Sequence, residues 1–142
     1  MLSVYVYFES NLVNVPLDSW WLDSGATIHV ATSLQGIRNL RKPSEKELKL
    51  KVGSDIGIDV EHIGIAVLEL DYGFQLVLDN SYCVPSFRRN LISLLVLDKA
   101  GYSFTFANKR VDVIYDSKVI GNCVLSDGLY RLLLLSTCSY NV

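Results

Sequence analysis

Histidine, cysteine, proline and methionine are scarce in this 142-residue chain, at two, three, three and one residues, and each scarcity removes a class of protein. The histidines, His29 and His62, and the cysteines, Cys83, Cys123 and Cys138, are widely spaced and form no Cys-x-x-Cys pair. That pattern fits neither a zinc site nor a disulfide framework, so the cysteines read as reduced thiols and no metal is expected. With 50% apolar and 20% charged residues, the chain is too hydrophobic and too evenly mixed to be disordered. Thirteen basic against fifteen acidic residues leave a net charge of −2. There is no overall positive field, and nucleic acid is not expected as a partner of the domain itself. Long apolar runs are missing too: Leu132 to Leu135 falls far short of the ~20 residues that cross a bilayer. Met1 to Phe8 has neither a basic n-region nor a long apolar core, so it does not read as a signal peptide. The expectation is a cytoplasmic, soluble chain with one core and no membrane contact.

What is present is alternation. Val, Ile, Tyr and Phe recur with period two, which predicts an all-β protein. The predicted strands are Val4 to Phe8, Trp20 to Leu22, Ile28 to Val30, Leu48 to Val52, Ile58 to Leu70, Phe74 to Tyr82, Ser103 to Ala107, Val111 to Tyr115, Lys118 to Val124 and Tyr130 to Leu134. Asp71-Tyr72-Gly73, Ala107-Asn108-Lys109 and Asp116-Ser117 supply turn chemistry between them. Many short strands with regular turns imply a closed or sandwiched sheet. Leu91 to Ala100 is too continuously apolar for a half-exposed strand and stops at Gly101, which predicts the one helix.

Arg38 to Lys51 gathers six basic residues and two glutamates around Pro43. It reads as a solvated loop and a lysine-protected strand edge, with a local phosphate or nucleic-acid patch as the alternative. Gly53-Ser54-Asp55-Ile56-Gly57 is not followed by Gly-Lys-Ser/Thr, so it reads as a turn and not a phosphate cradle. Ser24 and His29 lack the Gly-x-Ser-x-Gly elbow of a serine hydrolase, and His29 reads as a satisfied strand histidine. Trp20 and Trp21 alternate across a strand, so one is expected in the core and the other toward a partner or the rest of a longer chain.

The sharpest local feature is Trp21-Leu22-Asp23-Ser24-Gly25-Ala26-Thr27, where an apolar strand delivers a carboxylate to a tight turn between rigid strands, a common seat for catalytic groups. Behind it come Val60-Glu61-His62-Ile63-Gly64-Ile65-Ala66 and Val84-Pro85-Ser86-Phe87-Arg88-Arg89-Asn90-Leu91-Ile92-Ser93. In that order the three segments closely resemble the protease region of copia (Ty1) type LTR retrotransposon Gag-Pol polyproteins. That region is also described as the β-barrel domain of TNT 1-94-like Pol polyproteins and is a retropepsin-like aspartic protease family. The resemblance covers roughly residues 17 to 107, and the tail ending Asp127-Gly128-Leu129-Tyr130-Arg131-Leu132 looks like the stretch leading to the pre-integrase region.

The resemblance implies a small acid-protease barrel over residues 1–107, of two short β halves with one helix and a flap hairpin, and a C-terminal β extension over 108–142. It implies a catalytic triplet Asp23, Ser24 and Gly25, followed by Ala26 and Thr27 at the substrate. Glu61, His62, Ile63 and Gly64 would form the tip of the flap that closes on the peptide, although many retropepsins carry glycines where Glu61 and His62 stand. Asn90 to Ser93 and the helix after it would prop up the active-site loop, with Ser93 standing where many retropepsins have glycine. Amide hydrolysis by aspartates needs two carboxyls sharing one proton, and one triplet per chain therefore implies a homodimer. The expected activity is cleavage of the Gag-Pol polyprotein within the retroelement particle, with water as nucleophile and no metal or organic cofactor. The alternative is a catalytically inactive barrel module of retroelement origin that binds peptide or protein partners.

Overall fold

A computed structural model describes residues 18–50 and 59–135, except for the side chains of 49 and 50. In chain order the elements are β1 (Trp20–Asp23), β2 (His29–Ala31), β3 (Ile37–Arg41), α1 (Glu45–Leu50), β4 (His62–Glu69), β5 (Gln75–Cys83), β6 (Asn90–Ser93), α2 (Leu94–Lys99), β7 (Ser103–Ala107), β8 (Arg110–Tyr115), β9 (Lys118–Ser126) and β10 (Leu129–Leu132). The fold is all-β, as the alternation predicts. Among the described residues the strands form one ten-stranded sheet in the order β3-β4-β5-β2-β6-β1-β10-β9-β8-β7. The sheet curls into a small barrel. Leu70, past the end of β4, bridges Leu134, and the Leu135 N–H donates to the Glu69 carbonyl at 2.8 Å.

The C-terminal hairpins owe their form to their turns. Asn108-Lys109, Asp116-Ser117 and Asp127-Gly128 each join paired strands through two residues of positive φ, the geometry whose twist matches that of the flanking strands. The boundary expected at residue 107 falls at the first of these turns, and β8 to β10 continue the same sheet, with β10 paired to β1.

The predicted helix over Leu91 to Ala100 is corrected at its start. Leu91 to Ser93 belong to β6, which runs parallel to β1 and antiparallel to β2. A strand covered on both faces reads as a continuous apolar run, and α2 begins only where the Ser93 hydroxyl accepts the Val96 N–H at 3.1 Å. A second helix, α1, stands where Leu48 to Val52 predicted a strand, with 51–52 outside the described residues. Its cause is a reciprocal cap: Glu47 N–H donates to Ser44 Oγ and Ser44 N–H to Glu47 Oε1, at 3.2 and 2.9 Å. Val4 to Phe8 and Gly53 to Gly57 also lie outside the described residues.

Two apolar clusters fill the structure. The larger joins Trp20 and Leu22 of β1 to Leu68, Leu76, Leu78, Ile92, Val111, Val113, Ile120 and Leu132. The smaller joins Trp21 to Val30, Ile63, Tyr82, Val84 and Leu91. The two tryptophans do alternate, but both are buried, at 6% and 2% exposure, which corrects the expectation that one faces a partner. The Arg89 guanidinium covers the Trp21 ring at 4.2 Å.

The basic segment is largely exposed, with edge strand β3 at one border of the sheet. Two of its charges are already matched, because Arg41 grips Glu47 through two hydrogen bonds of 2.7 Å. That grip holds the Glu47 carboxyl down at about 2. Among the described residues no helix is long and apolar enough to cross a membrane.

Candidate active site

The sheet order creates the site. β1 and β2 are joined by only residues 24–28, yet β6 lies between them, so the connection must bridge about 10 Å across the end of β6. β6 ends in Ser93, which stands beside Asp23 in the parallel register. The Ser93 hydroxyl therefore sits beneath the arch and donates to the Ala26 carbonyl at 2.7 Å. The other end of β6 is clamped as well. Asn90 Oδ1 accepts from the Thr32 N–H and hydroxyl at 2.8 and 2.9 Å, and its Nδ2 donates to the Ser19 carbonyl at 2.9 Å.

Asp23 closes β1 and is 4% exposed. Its Oδ1 accepts the Gly25 N–H at 2.7 Å, while Oδ2 has no hydrogen-bond partner among the described residues. Burial raises the carboxyl above its ordinary range, against the opposing pull of the Gly25 and Ala26 amides. Ser24 is exposed, Gly25 and Thr27 are half-buried and Ala26 is buried. Thr27 Oγ1 is a second buried polar atom of the arch with no partner among the described residues. Asp23 ends β1, and Ser24 to Thr27 lie in the arch that follows it.

The other predicted substrate residues are not with them as a flap. The tip of the β4–β5 hairpin is Asp71 to Gly73, and Glu61 to Gly64 lie at the opposite end of β4. This corrects the flap-tip assignment. Ile63 is 1% exposed and sits between Tyr82 of β5 and Arg41 of β3. Gly64 serves close approach and not a turn: a Cβ there would fall 2.5 Å from Ile37 Cγ2 and 2.7 Å from the Arg38 carbonyl. Glu61 is exposed and its N–H binds the Cys83 carbonyl at 3.0 Å, while His62 is half-buried with Nδ1 lacking a partner among the described residues.

Sequence reasoning missed the part His29 plays. Its Nδ1 accepts the Ser93 N–H at 2.9 Å, so the imidazole holds the same residue that holds the arch. The acceptor role fixes the neutral ring with its proton on Nε2, which has no partner among the described residues. Burial lowers its pKa from 6.5 to about 4. The only signal in the sequence was a histidine two residues beyond Thr27, and nothing in that spacing points to Ser93. Among the described residues no group of three His, Cys, Asp or Glu side chains is placed to hold a metal.

Residues 20–102, more than half of the chain, match a family described as Pol polyprotein, beta-barrel domain. The chain is also 31% identical over 118 residues to the Retrovirus-related Pol polyprotein from transposon TNT 1-94 of Nicotiana tabacum. That alignment takes in 82% of this chain and 9% of the relative. No solved structure matches.

Proposed function

Because the chain belongs to the Pol polyprotein β-barrel domain family, and so to a region of a copia-type retrotransposon Pol polyprotein, we propose that it is the aspartic endopeptidase of that polyprotein. It works as a homodimer to which each copy contributes Asp23. The carrying observation is the state of the Asp23 carboxyl: buried, one oxygen bound to the Gly25 amide, and the other without an intramolecular partner among the described residues. A carboxyl that burial biases toward its protonated form suits a pair that must share one proton. The ionised member takes a proton from water as it adds to the scissile carbonyl, and the protonated member gives one to the carbonyl oxygen. As the adduct collapses, the aspartate that took the water proton gives it to the leaving nitrogen and the other takes a proton from an adduct hydroxyl, so the C–N bond breaks to a carboxylic acid and an amine and the pair again shares one proton. Substrate is an extended stretch of polyprotein, held by main-chain hydrogen bonds as an added strand.

A second reading, an inactive barrel that binds a peptide or protein, is favoured by one observation: Glu61 to Gly64 run into β4, with Ile63 buried, and are not a free tip above Asp23. The two readings separate in a cleavage assay on a precursor fragment spanning this domain, across pH 4 to 7, with Asp23→Asn as the paired control. The protease reading expects cutting in an acidic window and none by a folded Asp23→Asn chain. A folded dimer that cuts at no pH, or an Asn variant that cuts equally well, refutes it.

A further inference from the structure

The family match stops at residue 102, but the core does not. Val111, Val113, Ile120, Cys123 and Leu132 are packed in one cluster with Trp20 and Leu22. β10 then pairs with β1 itself, Trp21 opposite Arg131 and Leu22 opposite Tyr130, immediately before Asp23. Removing β10 would leave β1 held by β6 alone and expose one whole edge of the strand that delivers the carboxyl. The far side of the barrel is tied by the same stretch of chain. Leu135 N–H binds Glu69, Leu134 bridges Leu70, and the Tyr72 hydroxyl donates to Asn122, whose Nδ2 donates to Asp112 at 2.6 Å. Gly121 lies so close to Leu70 that a Cβ would stand 3.1 Å from its Cδ1.

We infer that the unit to be released intact from the polyprotein runs through Leu135, so the bond hydrolysed to separate it from the downstream polyprotein lies C-terminal to that residue. The stretch 103–135 is scaffold for the Asp23 strand and not a linker. This inference rests on the chain being a polyprotein segment and not on Asp23 being a catalyst. Hydrolysis at the exposed Asn108-Lys109 turn, one water giving a carboxyl and an amine, would not part the two pieces, because the sheet bonds of β10 to β1 and of Leu135 to Glu69 would still join them.

The two tryptophans of the chain both lie on β1, so their emission reports whether β10 is docked. Limited proteolysis of the full chain, mapped by mass spectrometry, is expected to leave a resistant core ending at or beyond Leu135. Truncation after residue 135 should keep the blue-shifted emission and cooperative melting of the full chain. Truncation after residue 107 should lose both. Within the full chain, Leu132→Asp should red-shift the emission, whereas Leu125→Asp, at a 40% exposed site, should not. A 107-residue product that melts and fluoresces like the full chain overturns the inference. So does a core ending between residues 102 and 110 that, separated from 111–135, keeps its resistance and unchanged emission, or equal emission from the two aspartate variants. None of these readouts depends on peptide cleavage.

Discussion

The hydroxyl of Ser93 is bonded to the carbonyl of Ala26 at 2.7 Å, joining residues 67 positions apart where the chain arches from β1 to β2 over the end of β6. The same oxygen accepts the Val96 N–H and so starts α2. A glycine at this position would leave the buried Ala26 carbonyl and the helix end without these bonds. The serine therefore tightens the support of the Asp23 loop.

Ser93→Ala is accordingly expected to destabilise the chain by about 2–3 kcal/mol, a lost cap plus a buried carbonyl left unmatched. Ser93→Thr, which keeps the hydroxyl, should recover most of that loss. Urea denaturation of the three proteins at one pH measures it; an alanine variant as stable as the parent would refute the strut.

His29 makes stability depend on pH in a definite direction. Its folded pKa of about 4 lies below the ordinary 6.5, so the unfolded chain takes up a proton first as pH falls. Stability from this group is complete above pH 6.5 and is lost between there and about pH 4, by about 3 kcal/mol in all. His29→Asn, which can present an acceptor to the Ser93 N–H without titrating in this range, should flatten that part of the curve. Melting temperatures at half-unit steps from pH 7.5 to 4 test this, and an unchanged slope in the variant would count against it.

Asp23 carries the opposite sign. Its folded pKa is raised by burial, so its contribution is fullest below the unfolded value and is lost as pH rises through the folded one. Above the unfolded value the buried carboxyl is a cost, and Asp23→Asn should melt higher than the parent at pH 7 while losing that advantage toward pH 3. A neutral-pH melting point at or below the parent's would contradict this assignment.

Gly64→Ala tests the corrected role of the Glu61 to Gly64 segment. The new methyl would meet Ile37 and the Arg38 backbone, forcing β3 and β4 apart at a cost of about 1–3 kcal/mol. A mobile flap tip would tolerate the methyl with little change in stability. Equilibrium unfolding of this variant beside Gly73→Ala separates close approach from turn strain, since Gly73 has open space around it but a φ of +86°.

Alternation and turn chemistry fixed most of the strands in advance, because period-two burial and the two-residue turns at Asn108-Lys109 and Asp116-Ser117 are local properties. The same is true of the Asp-Ser-Gly motif, whose residues are adjacent in sequence and needed no fold to be found. Leu91 to Ser93 misled for a physical reason: a strand covered on both faces has no polar side, so periodicity cannot tell it from a buried helix. Helix α1 was missed although Ser44-Glu45-Lys46-Glu47 has the spacing of a reciprocal cap, because the charged run behind it shows no apolar face of helical period.

What the sequence determined by itself was an all-β chain with an aspartate at a strand end and a family to which that aspartate belongs. Only the tertiary structure decided that β6 lies between β1 and β2, that the support expected from 90–93 is a Ser93 hydroxyl bond backed by the His29 imidazole, that Gly64 is a crossing point between strands, and that β10 completes β1. Each of these joins residues far apart in the chain through strand order. Strand order depends on which apolar faces bury one another, which no local pattern encodes.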